Sequence, residues 1–542
     1  MIEPTVASPA YPWLIKHLLA SGVKRSPAQE IVYADKLRLT YREFDARVHR
    51  LAAGLASLGI GPGDTVGVMD WDSHRYLECF FAVPMMGAVL HTINVRLSPE
   101  QVLYTINHAE DDVILVNSEF VPLLEQIWHG VDAGKRLVLI DDRGVAFATT
   151  LAFAADYEGL LAGASERFDF PDFDEETRAT TFYTTGTTGL PKGVFFSHRQ
   201  LVLHTLALRG ALAGTGQFDD DDVYMPITPM FHVHAWGLPY VATLAGVKQV
   251  YAGRYVPERL VELMRTERVS LSHCVPTILQ AVLDQAVSKD VDLAGWTVIV
   301  GGAALPQSLA RRALDAGVDL LAGYGMSETG PVLTLAQTQP HMKHWSHADQ
   351  LRIRCSAGRP IPMVEIRVID AAGDELPHDG TSAGEVIVRA PWLTRGYLRD
   401  EMGSAKLWEH GWLHTGDIGV IDADGYLRIT DRIKDVIKTG GEWISSLQVE
   451  DLLLRHPTVA EAAVIGLPDP KWTERPFAIL VLKEGHAADE KDVRAHLAVF
   501  AAAGAISKYG VPDRIVFVDA LPRTSVGKVD KKLLRTQFTK PL

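Results

Sequence analysis

A stretch rich in glycine and threonine lies between residues 183 and 194, where the sequence reads YTTGTTGLPKGV. Glycine lets backbone N–H groups approach a polyanion closely, because no Cβ blocks the approach and positive φ is accessible. The threonine hydroxyls add hydrogen-bond donors, and the lysine adds a positive charge. Glycine and threonine also collect in ordinary surface turns. The spacing nevertheless predicts a phosphate-binding loop formed by Thr184, Thr185, Gly186, Thr187, Thr188, Gly189 and Lys192.

The loop differs from the two commonest nucleotide-binding motifs. A Walker A motif has Ser or Thr directly after Gly-Lys, whereas Lys192 lies between Pro191 and Gly193, and the loop contains no GxGxxG pattern. The preceding run TRATTF is typical of a strand. Ser197 and Gln200 have the spacing of a capping box before the helix-like run HRQLVLHTLALRG. The predicted order is therefore strand, anion loop, strand and helix.

Strand-like and helix-like runs alternate around this loop. Between about residues 220 and 340, apolar runs such as VKQVYAG and WTVIVGG alternate with helical patterns such as PERLVELMRTE. Residues 41–95 have the same rhythm. This alternation is typical of β-α-β units and a largely parallel sheet, whose strand ends carry ligand-binding loops. Two α/β layers are predicted before residue 340.

The pattern changes from about Gly358, where short alternating strands such as GEVIVRA indicate an antiparallel β subdomain. After about Lys434 the chain has a compact α+β pattern. Its predicted elements are a helix over 447–455, strands near Ala462 and Ala478, and a helix from Glu490 to about Phe500.

The predicted fold class is α/β, with stacked α/β sheets and a β subdomain in a large N-terminal domain and a small α+β C-terminal domain. The predicted limits are residues 1–431 for the N-terminal domain, 432–434 for the segment that joins the two domains and 435–542 for the C-terminal domain.

Composition excludes several classes of protein. Of the 542 residues, 47% are hydrophobic, which favours a globular protein. The formal net charge of −14 argues against binding of nucleic acid through general electrostatic attraction. The three cysteines, Cys79, Cys274 and Cys355, form no CxxC pair, so no disulfide framework or thiolate metal site is indicated. We recognise neither a secretory signal nor a membrane-spanning run, and we expect a cytoplasmic location.

The glycine-threonine loop resembles the phosphate loop of the adenylate-forming superfamily, which includes acyl-CoA synthetases, luciferases and the adenylation domains of peptide synthetases. Further motifs are similar to signatures of that family, in its order and across nearly the whole chain: GGAALP (301–306), GYGMSET (323–329), GWLHTGD (411–417), DRIKDVIKTGGEWIS (431–445) and PRTSVGKVDK (522–531). The runs PMFHVHAWGLPY and GGEWISS carry a narrower resemblance to bacterial medium- and long-chain fatty acyl-CoA synthetases and to methylmercaptopropionate-CoA ligases.

The resemblance implies that ATP and Mg²⁺ bind at these motifs. Glu328 is expected to hold Mg²⁺, with Thr184 nearby, because Mg²⁺ keeps several waters and takes other oxygens from substrate phosphates. Ser327 replaces the threonine that is commoner in the family, and its hydroxyl can still donate to the α-phosphate. Outside such a motif, a glutamate in this setting would more often be a solvated loop carboxylate.

The resemblance also implies a nucleoside pocket. Tyr324 is expected to stack on adenine, although an aromatic residue in a turn flanked by glycine more often packs in a core. Asp417 and Arg432 are expected to bind the ribose, although an aspartate here could equally cap a turn. The base pocket is expected to be lined by Gly302, Ala303 and Gly323.

A lysine near the C-terminus is implied to be catalytic. Lys528 resembles the mobile lysine that bridges the substrate carboxylate and the α-phosphate, whereas its composition alone favours a solvated basic tail with Lys531 and Lys532. Family members rotate the small domain between half-reactions, and Lys434 occupies the hinge position. The face presented to CoA is expected to contain Lys438, Gly440, Gly441 and Trp443.

The acyl site is expected near the run MFHVHAWG. His232 resembles the gate between the acyl and CoA channels, and the pocket behind it is expected to be lined by Val233, Trp236, Gly237, Val300 and Gly301. A metal site is the alternative, because His232 and His234 would lie on one face of a strand and His341, His344 and His347 are spaced by three.

The resemblance identifies the chain as an ATP-dependent acid–CoA ligase that forms an acyl-adenylate and then an acyl-CoA, with ATP and CoA as co-substrates. Medium- to long-chain fatty acids are the expected substrates, and a short-chain or 3-methylmercaptopropionate ligase is the alternative. A fatty acyl-AMP ligase serving a carrier protein, a luciferase-like oxygenase and a non-catalytic nucleotide-binding protein are further alternatives. By analogy with relatives we expect a homodimer.

Overall fold

The structure, a computed structural model, describes residues 11–142, 144, 148–184, 190–213, 217–439, 442–524 and 528–539. The α-helices in these parts of the chain are α1 (Lys16–Arg25), α2 (Tyr41–Ser57), α3 (His74–Met85), α4 (Pro99–Ala109), α5 (Val121–Ile127), α6 (Tyr157–Ala162), α7 (His198–Ala213), α8 (Val233–Trp236), α9 (Leu238–Ala245), α10 (Pro257–Glu267), α11 (Pro276–Lys289), α12 (Gln307–Asp315), α13 (His347–Arg354), α14 (Glu401–Leu407), α15 (Ser446–Leu454), α16 (Glu490–Ala502) and α17 (Lys531–Thr539).

The strands are β1 (Glu30–Tyr33), β2 (Leu37–Thr40), β3 (Thr65–Met69), β4 (Val89–Thr92), β5 (Val113–Asn117), β6 (Arg136–Ile140), β7 (Ala155–Asp156), β8 (Arg178–Thr184), β9 (Lys192–Ser197), β10 (Val223–Pro226), β11 (Lys248–Tyr251), β12 (Leu271–Cys274), β13 (Thr297–Val300), β14 (Asp319–Gly325), β15 (Val332–Leu335), β16 (Arg359–Pro360), β17 (Glu365–Ile369), β18 (Gly384–Arg389), β19 (Trp408–Glu409), β20 (Trp412–Ile421), β21 (Leu427–Arg432), β22 (Ile437–Thr439), β23 (Glu442–Ile444), β24 (Val459–Asp469), β25 (Thr473–Leu482) and β26 (Arg514–Phe517).

A seven-stranded sheet with the order β7-β6-β5-β3-β4-β8-β9 forms the first layer. Its pairs are parallel except for β8 with β9. Every residue of β3 and β5 is buried, as expected of central strands covered on both faces. The β8–β9 hairpin flanks the glycine-threonine loop. The helix predicted after it begins at His198, and its capping box forms, because Gln200 N donates to Ser197 Oγ at 3.3 Å and Ser197 N donates to Gln200 Oε1 at 2.8 Å.

A nine-stranded sheet with the order β16-β15-β14-β13-β12-β10-β11-β1-β2 forms the second layer. The six neighbouring strands β14, β13, β12, β10, β11 and β1 are parallel, whereas β2, β15 and β16 at the two ends pair antiparallel. The prediction of two α/β layers is confirmed. Parallel strands end at a common edge, and here β12, β13 and β14 bring their carboxyl ends together.

An antiparallel sheet with the order β17-β18-β20-β19, and with β21 paired to β20, forms the predicted β subdomain. Its register places Asp417 directly opposite Arg432. Two residues from separate motifs therefore become neighbours through strand pairing alone.

The C-terminal part contains a five-stranded sheet of β22 to β26, in which β24 and β25 form a long antiparallel pair. The helix predicted over 447–455 spans Ser446–Leu454, and the strands predicted near Ala462 and Ala478 are β24 and β25. The strand β21 that precedes the proposed hinge contacts this part, because Ser446 N donates to Asp431 Oδ2 at 2.5 Å.

Candidate active site

Asp417 binds two partners that the sequence places far from each other. Its Oδ2 accepts from the Tyr324 hydroxyl at 2.8 Å, and its Oδ1 lies 3.2 Å from Arg432 Nε. The side chain is buried, with 6% of its surface exposed. Burial and the Asp417 charge raise the pKa of Tyr324, so its phenol remains a donor. Three of the residues predicted to bind the nucleoside thus form one hydrogen-bonded cluster.

Glu328 lies on a 3₁₀ turn over Ser327–Thr329 and is largely buried. Its Oε1 accepts from the Tyr397 hydroxyl at 2.7 Å. Burial raises the pKa of Glu328, and the hydrogen bond from Tyr397 opposes that rise together with the positive charges of Arg432 and Lys192. A single carboxylate can hold Mg²⁺ when phosphate oxygens and waters complete its coordination.

Lys192 begins β9, directly opposite Thr184 at the end of β8. Its Nζ lies 3.3 Å from Asp400 Oδ2 and 4.2 Å from the centre of the Tyr397 ring. The two ends of the predicted phosphate loop are therefore held at the base of one hairpin. The loop residues between them, Thr185, Gly186, Thr187, Thr188 and Gly189, lie outside the described residues.

Lys528 points into this cluster from the C-terminal part. A Cβ placed on Gly302 would lie 3.6 Å from Lys528 Cε. Desolvation lowers the pKa of Lys528 to about 8, with a further lowering from Arg432 and Lys434, while Asp417 and Glu328 act in the opposite direction. Thr524 N donates to Lys528 O at 2.7 Å. Composition favours a solvated tail, whereas here the Lys528 side chain is partly buried beside Gly302.

The run from Val233 to Gly237 is not a strand, so the expectation that His232 and His234 share one strand face is wrong. All five residues from Val233 to Gly237 have positive φ, between 47° and 75°, so the short element α8 is a left-handed turn and not a right-handed α-helix. The turn buries the side chains of Val233, Ala235 and Trp236. In a strand, by contrast, successive side chains would point to opposite faces. Among the described residues, no group of three or more His, Cys, Asp or Glu side chains could hold a metal ion.

The turn places Trp236 against the end of β13. A Cβ on Gly301 would lie 3.0 Å from Trp236 Cη2, so a larger residue at this position would crowd the indole. Burial, with Lys528 and Arg96 nearby, lowers the pKa of His232 to about 3, which keeps the imidazole neutral. Of the predicted acyl-pocket residues, Trp236 and Gly301 thus meet at the carboxyl end of β13, whereas Val233 and Val300 pack in two other hydrophobic clusters.

The remaining predicted residues fall into two groups. Ala303 and Gly323 flank Gly302 and Tyr324 at the ends of β13 and β14, next to the proposed base pocket. Lys434 lies in the turn after β21, and Lys438 is an exposed residue of β22. Gly440, Gly441 and the side chain of Trp443 lie outside the described residues.

Several residues of the site were missed from the sequence. Tyr397 and Asp400 contact Glu328 and Lys192, but they follow the β subdomain strand β18 in a segment without a recognised motif. His273 packs against Trp236 with ring centres 5.1 Å apart, and its Nε2 lies 2.8 Å from the Tyr224 hydroxyl. The one sequence signal for His273 is its place next to the carboxyl end of the parallel strand β12, where ligand-binding residues often lie.

Across the described part of the chain, no helix combines the length and the apolar character that crossing a membrane requires.

The chain is similar to known proteins along nearly all of its length. Residues 19–398 match the AMP-binding enzyme family, and residues 448–528 match the AMP-binding enzyme C-terminal domain. A crystal structure of ATP-bound MatB from Rhodopseudomonas palustris superimposes with a TM-score of 0.84 at 27% identity, covering 98% of this chain and 99% of that one.

Relatives similar along their whole length include two ligases. The long-chain-fatty-acid–CoA ligase of Thermus thermophilus is 42% identical over 507 residues, covering 92% of this chain and 90% of the relative. The 3-methylmercaptopropionyl-CoA ligase of Ruegeria pomeroyi is 42% identical over 496 residues, covering 90% of each. With family matches along most of its length and relatives this similar, the chain belongs to the AMP-binding enzyme family.

Proposed function

We propose that this protein is an ATP-dependent acid–CoA ligase that makes an acyl-adenylate and then an acyl-CoA, releasing pyrophosphate and AMP. The single observation that carries the proposal is the convergence of Lys528 on Asp417, Glu328 and Gly302. The lysine belongs to the C-terminal part, whereas the other residues belong to the N-terminal part. We would not expect a solvated tail to lie in a nucleotide pocket.

In the first half-reaction, a carboxylate oxygen of the acid attacks the α-phosphorus of ATP, and the bond to the β,γ-diphosphate breaks. Lys528 offers a compact positive charge between the two anionic reactants. Asp417 and Arg432 hold the ribose, while Lys192 and the threonine loop hold the β- and γ-phosphates. Glu328 would hold Mg²⁺, which supplies positive charge to the triphosphate.

In the second half-reaction, the CoA sulfur attacks the acyl carbon, and the bond from that carbon to the AMP oxygen breaks. We propose that the C-terminal part turns about Lys434, which removes Lys528 and brings the face of Lys438, Gly440, Gly441 and Trp443 to the acyl-adenylate. A thiol with a pKa near 8.5 is partly ionised at neutral pH, so the step requires no dedicated base.

We propose medium- to long-chain fatty acids as the substrates, because the side chains at the expected acyl pocket, Val233, Trp236 and Val300, are apolar and buried. The equal identity of 42% to a long-chain ligase and to a 3-methylmercaptopropionyl-CoA ligase favours the short thioether acid as the second candidate. Trp236 on Gly301 closes the pocket in this arrangement. Its displacement would be required for a long acyl tail.

Mg²⁺ dependence, a cytoplasmic location and a homodimer are finer parts of the same proposal, and they rest on similarity to relatives. Light scattering coupled to size-exclusion chromatography tests the homodimer through a measured mass of twice the 59.5 kDa chain. A mass equal to one chain would refute it.

The experiment that tests the function measures AMP and pyrophosphate release from ATP and Mg²⁺ across straight, branched and thioether acids, with and without CoA. CoA-dependent turnover that peaks at one tail length supports the ligase and defines its pocket. Pyrophosphate exchange without CoA dependence would indicate a carrier-protein acceptor instead. If no acid led to release of AMP or pyrophosphate while ATP still bound at equilibrium, the non-catalytic alternative would be supported.

A further inference from the structure

The segment Thr394–Ser404 contacts both the strand that follows the predicted phosphate loop and the turn that carries Glu328. On one side, Leu398 N donates to Gly193 O at 2.8 Å, next to a backbone bridge between Tyr397 and Val194 on β9. On the other side, Thr394 N donates to Glu328 O at 2.9 Å. The approach to β9 is close, because a Cβ on Gly193 would lie 3.1 Å from Leu398 Cβ. The backbone of this segment therefore spaces the phosphate-loop strand from the turn that carries Glu328.

One side chain of the segment touches both charged groups. The Tyr397 hydroxyl donates to Glu328 Oε1 at 2.7 Å, and the Lys192 ammonium lies 4.2 Å from the centre of the Tyr397 ring. The ring face is the negative part of an aromatic quadrupole, so it attracts the ammonium.

We propose that Tyr397 is a positioning residue that sets Glu328 and Lys192 together for the metal-bound triphosphate of ATP. The proposal rests on the proposed function and deepens it. The hydroxyl restrains one oxygen of the Glu328 carboxylate, and the ring restrains the ammonium of a lysine whose long side chain would otherwise sample many rotamers. Asp400, 3.3 Å from the same ammonium, restrains it from the other side.

The two contacts of Tyr397 can be separated by substitution. Tyr397→Phe removes the hydroxyl and keeps the ring, so it should act only through Glu328 and therefore only when Mg²⁺ is present. Tyr397→Leu removes both contacts and should also weaken metal-free ATP binding through Lys192. A general loss of fold would affect both conditions equally in both variants.

Isothermal titration calorimetry of the full-length protein with ATP, in excess Mg²⁺ or in EDTA, measures both effects without turnover. For Tyr397→Phe we expect ATP affinity in Mg²⁺ to fall about tenfold, as expected for a hydrogen bond to a charged group, with affinity in EDTA unchanged. Tyr397→Leu should lose affinity in both conditions. Kinetically, the KM for ATP and Mg²⁺ should rise more than kcat falls in Tyr397→Phe.

Tyr33→Phe is the matched control. It removes a hydroxyl that donates to Asp142 Oδ2 at 2.5 Å, which is the same kind of bond at a site remote from Glu328, and it should leave ATP affinity unchanged in both conditions.

Two results would overturn the positioning role while leaving the proposed function intact. One is wild-type affinity of Tyr397→Phe for ATP in Mg²⁺, and the other is an equal loss with and without Mg²⁺. If the wild-type protein itself does not bind ATP, the proposed function and this inference both fail. Melting temperatures of the variants identify any loss that comes from unfolding.

Discussion

At the scale of single residues, a substitution of Lys528 is expected to slow the first half-reaction and not the second. Lys528→Ala should slow acid-dependent exchange of pyrophosphate into ATP by about 10²- to 10³-fold, because it removes the charge between the two anionic reactants. Thioester formation from supplied acyl-AMP and CoA should change little. Lys532→Ala, at an exposed position four residues further on, is the control and should retain both activities. Equal loss of both steps in Lys528→Ala would contradict the assigned role.

The pH dependence of adenylation is expected to report the ionisation of the same lysine. Burial lowers the pKa of Lys528 from 10.5 to about 8, and the role requires the protonated form. As pH rises through about 8, kcat/KM for pyrophosphate exchange should therefore fall. Bound triphosphate favours the ammonium, so the corresponding fall in kcat should lie at higher pH.

Lys528→Arg is the control for this profile, because a guanidinium keeps its proton throughout the range. Whatever exchange activity this variant retains should show no fall near pH 8. If the fall persisted there, another group would be its source.

At the scale of elements, the left-handed turn from Val233 to Gly237 is the least expected feature. Left-handed backbone costs roughly 1–2 kcal/mol for each residue with a Cβ, so the burial of Val233, Ala235 and Trp236 must offset it. Gly237 lies at φ 75°, and a Cβ there would lie 2.9 Å from His204 Cε1. Gly237→Ala therefore adds both backbone strain and a contact with a buried ring.

We expect Gly237→Ala to lower the free energy of unfolding by about 1–2 kcal/mol or more and to raise the KM for the acid, because the turn carries Trp236. Denaturant titration and initial rates measure the two effects. Gly295→Ala separates strain from contact, since Gly295 has φ 83° and no atom of the described residues comes within 4 Å of where its Cβ would lie. It should lose stability only. An unchanged KM in Gly237→Ala would mean that the turn does not shape the acyl pocket.

At the scale of the whole molecule, the position of Lys528 matches the arrangement that we propose for the first half-reaction. Lys528 lies in the site, and Lys438 is an exposed residue elsewhere on the same C-terminal part. Ser446, at the start of α15, binds Asp431 of β21 and so contributes to this arrangement. Thioester formation should therefore need the C-terminal part to move.

Lys438→Ala tests this movement as the counterpart of Lys528→Ala. It should leave pyrophosphate exchange unchanged and slow thioester formation from acyl-AMP at least about tenfold, as for loss of a charge-assisted contact. Lys508→Ala, another exposed lysine of the C-terminal part, should affect neither step. Loss of exchange in Lys438→Ala would show that its face already serves adenylation.

The sequence alone was enough to predict the fold class and the family, whereas the anion loop and the roles of the charged residues stay predictions. These are local signals, because periodicity, caps and motif spacing are written in neighbouring residues. The capping box of Ser197 and Gln200 and the helix over 446–454 illustrate how well local chemistry predicted elements.

Only the tertiary structure decided the contacts that join distant segments. Strand pairing placed Asp417 opposite Arg432, and a segment without a motif brought Tyr397 to Glu328 and Lys192. The sequence places His232 and His234 on one face of a strand, yet the chain from Val233 forms a left-handed turn with buried side chains. Such choices depend on what packs against the chain, which no local stretch of sequence specifies.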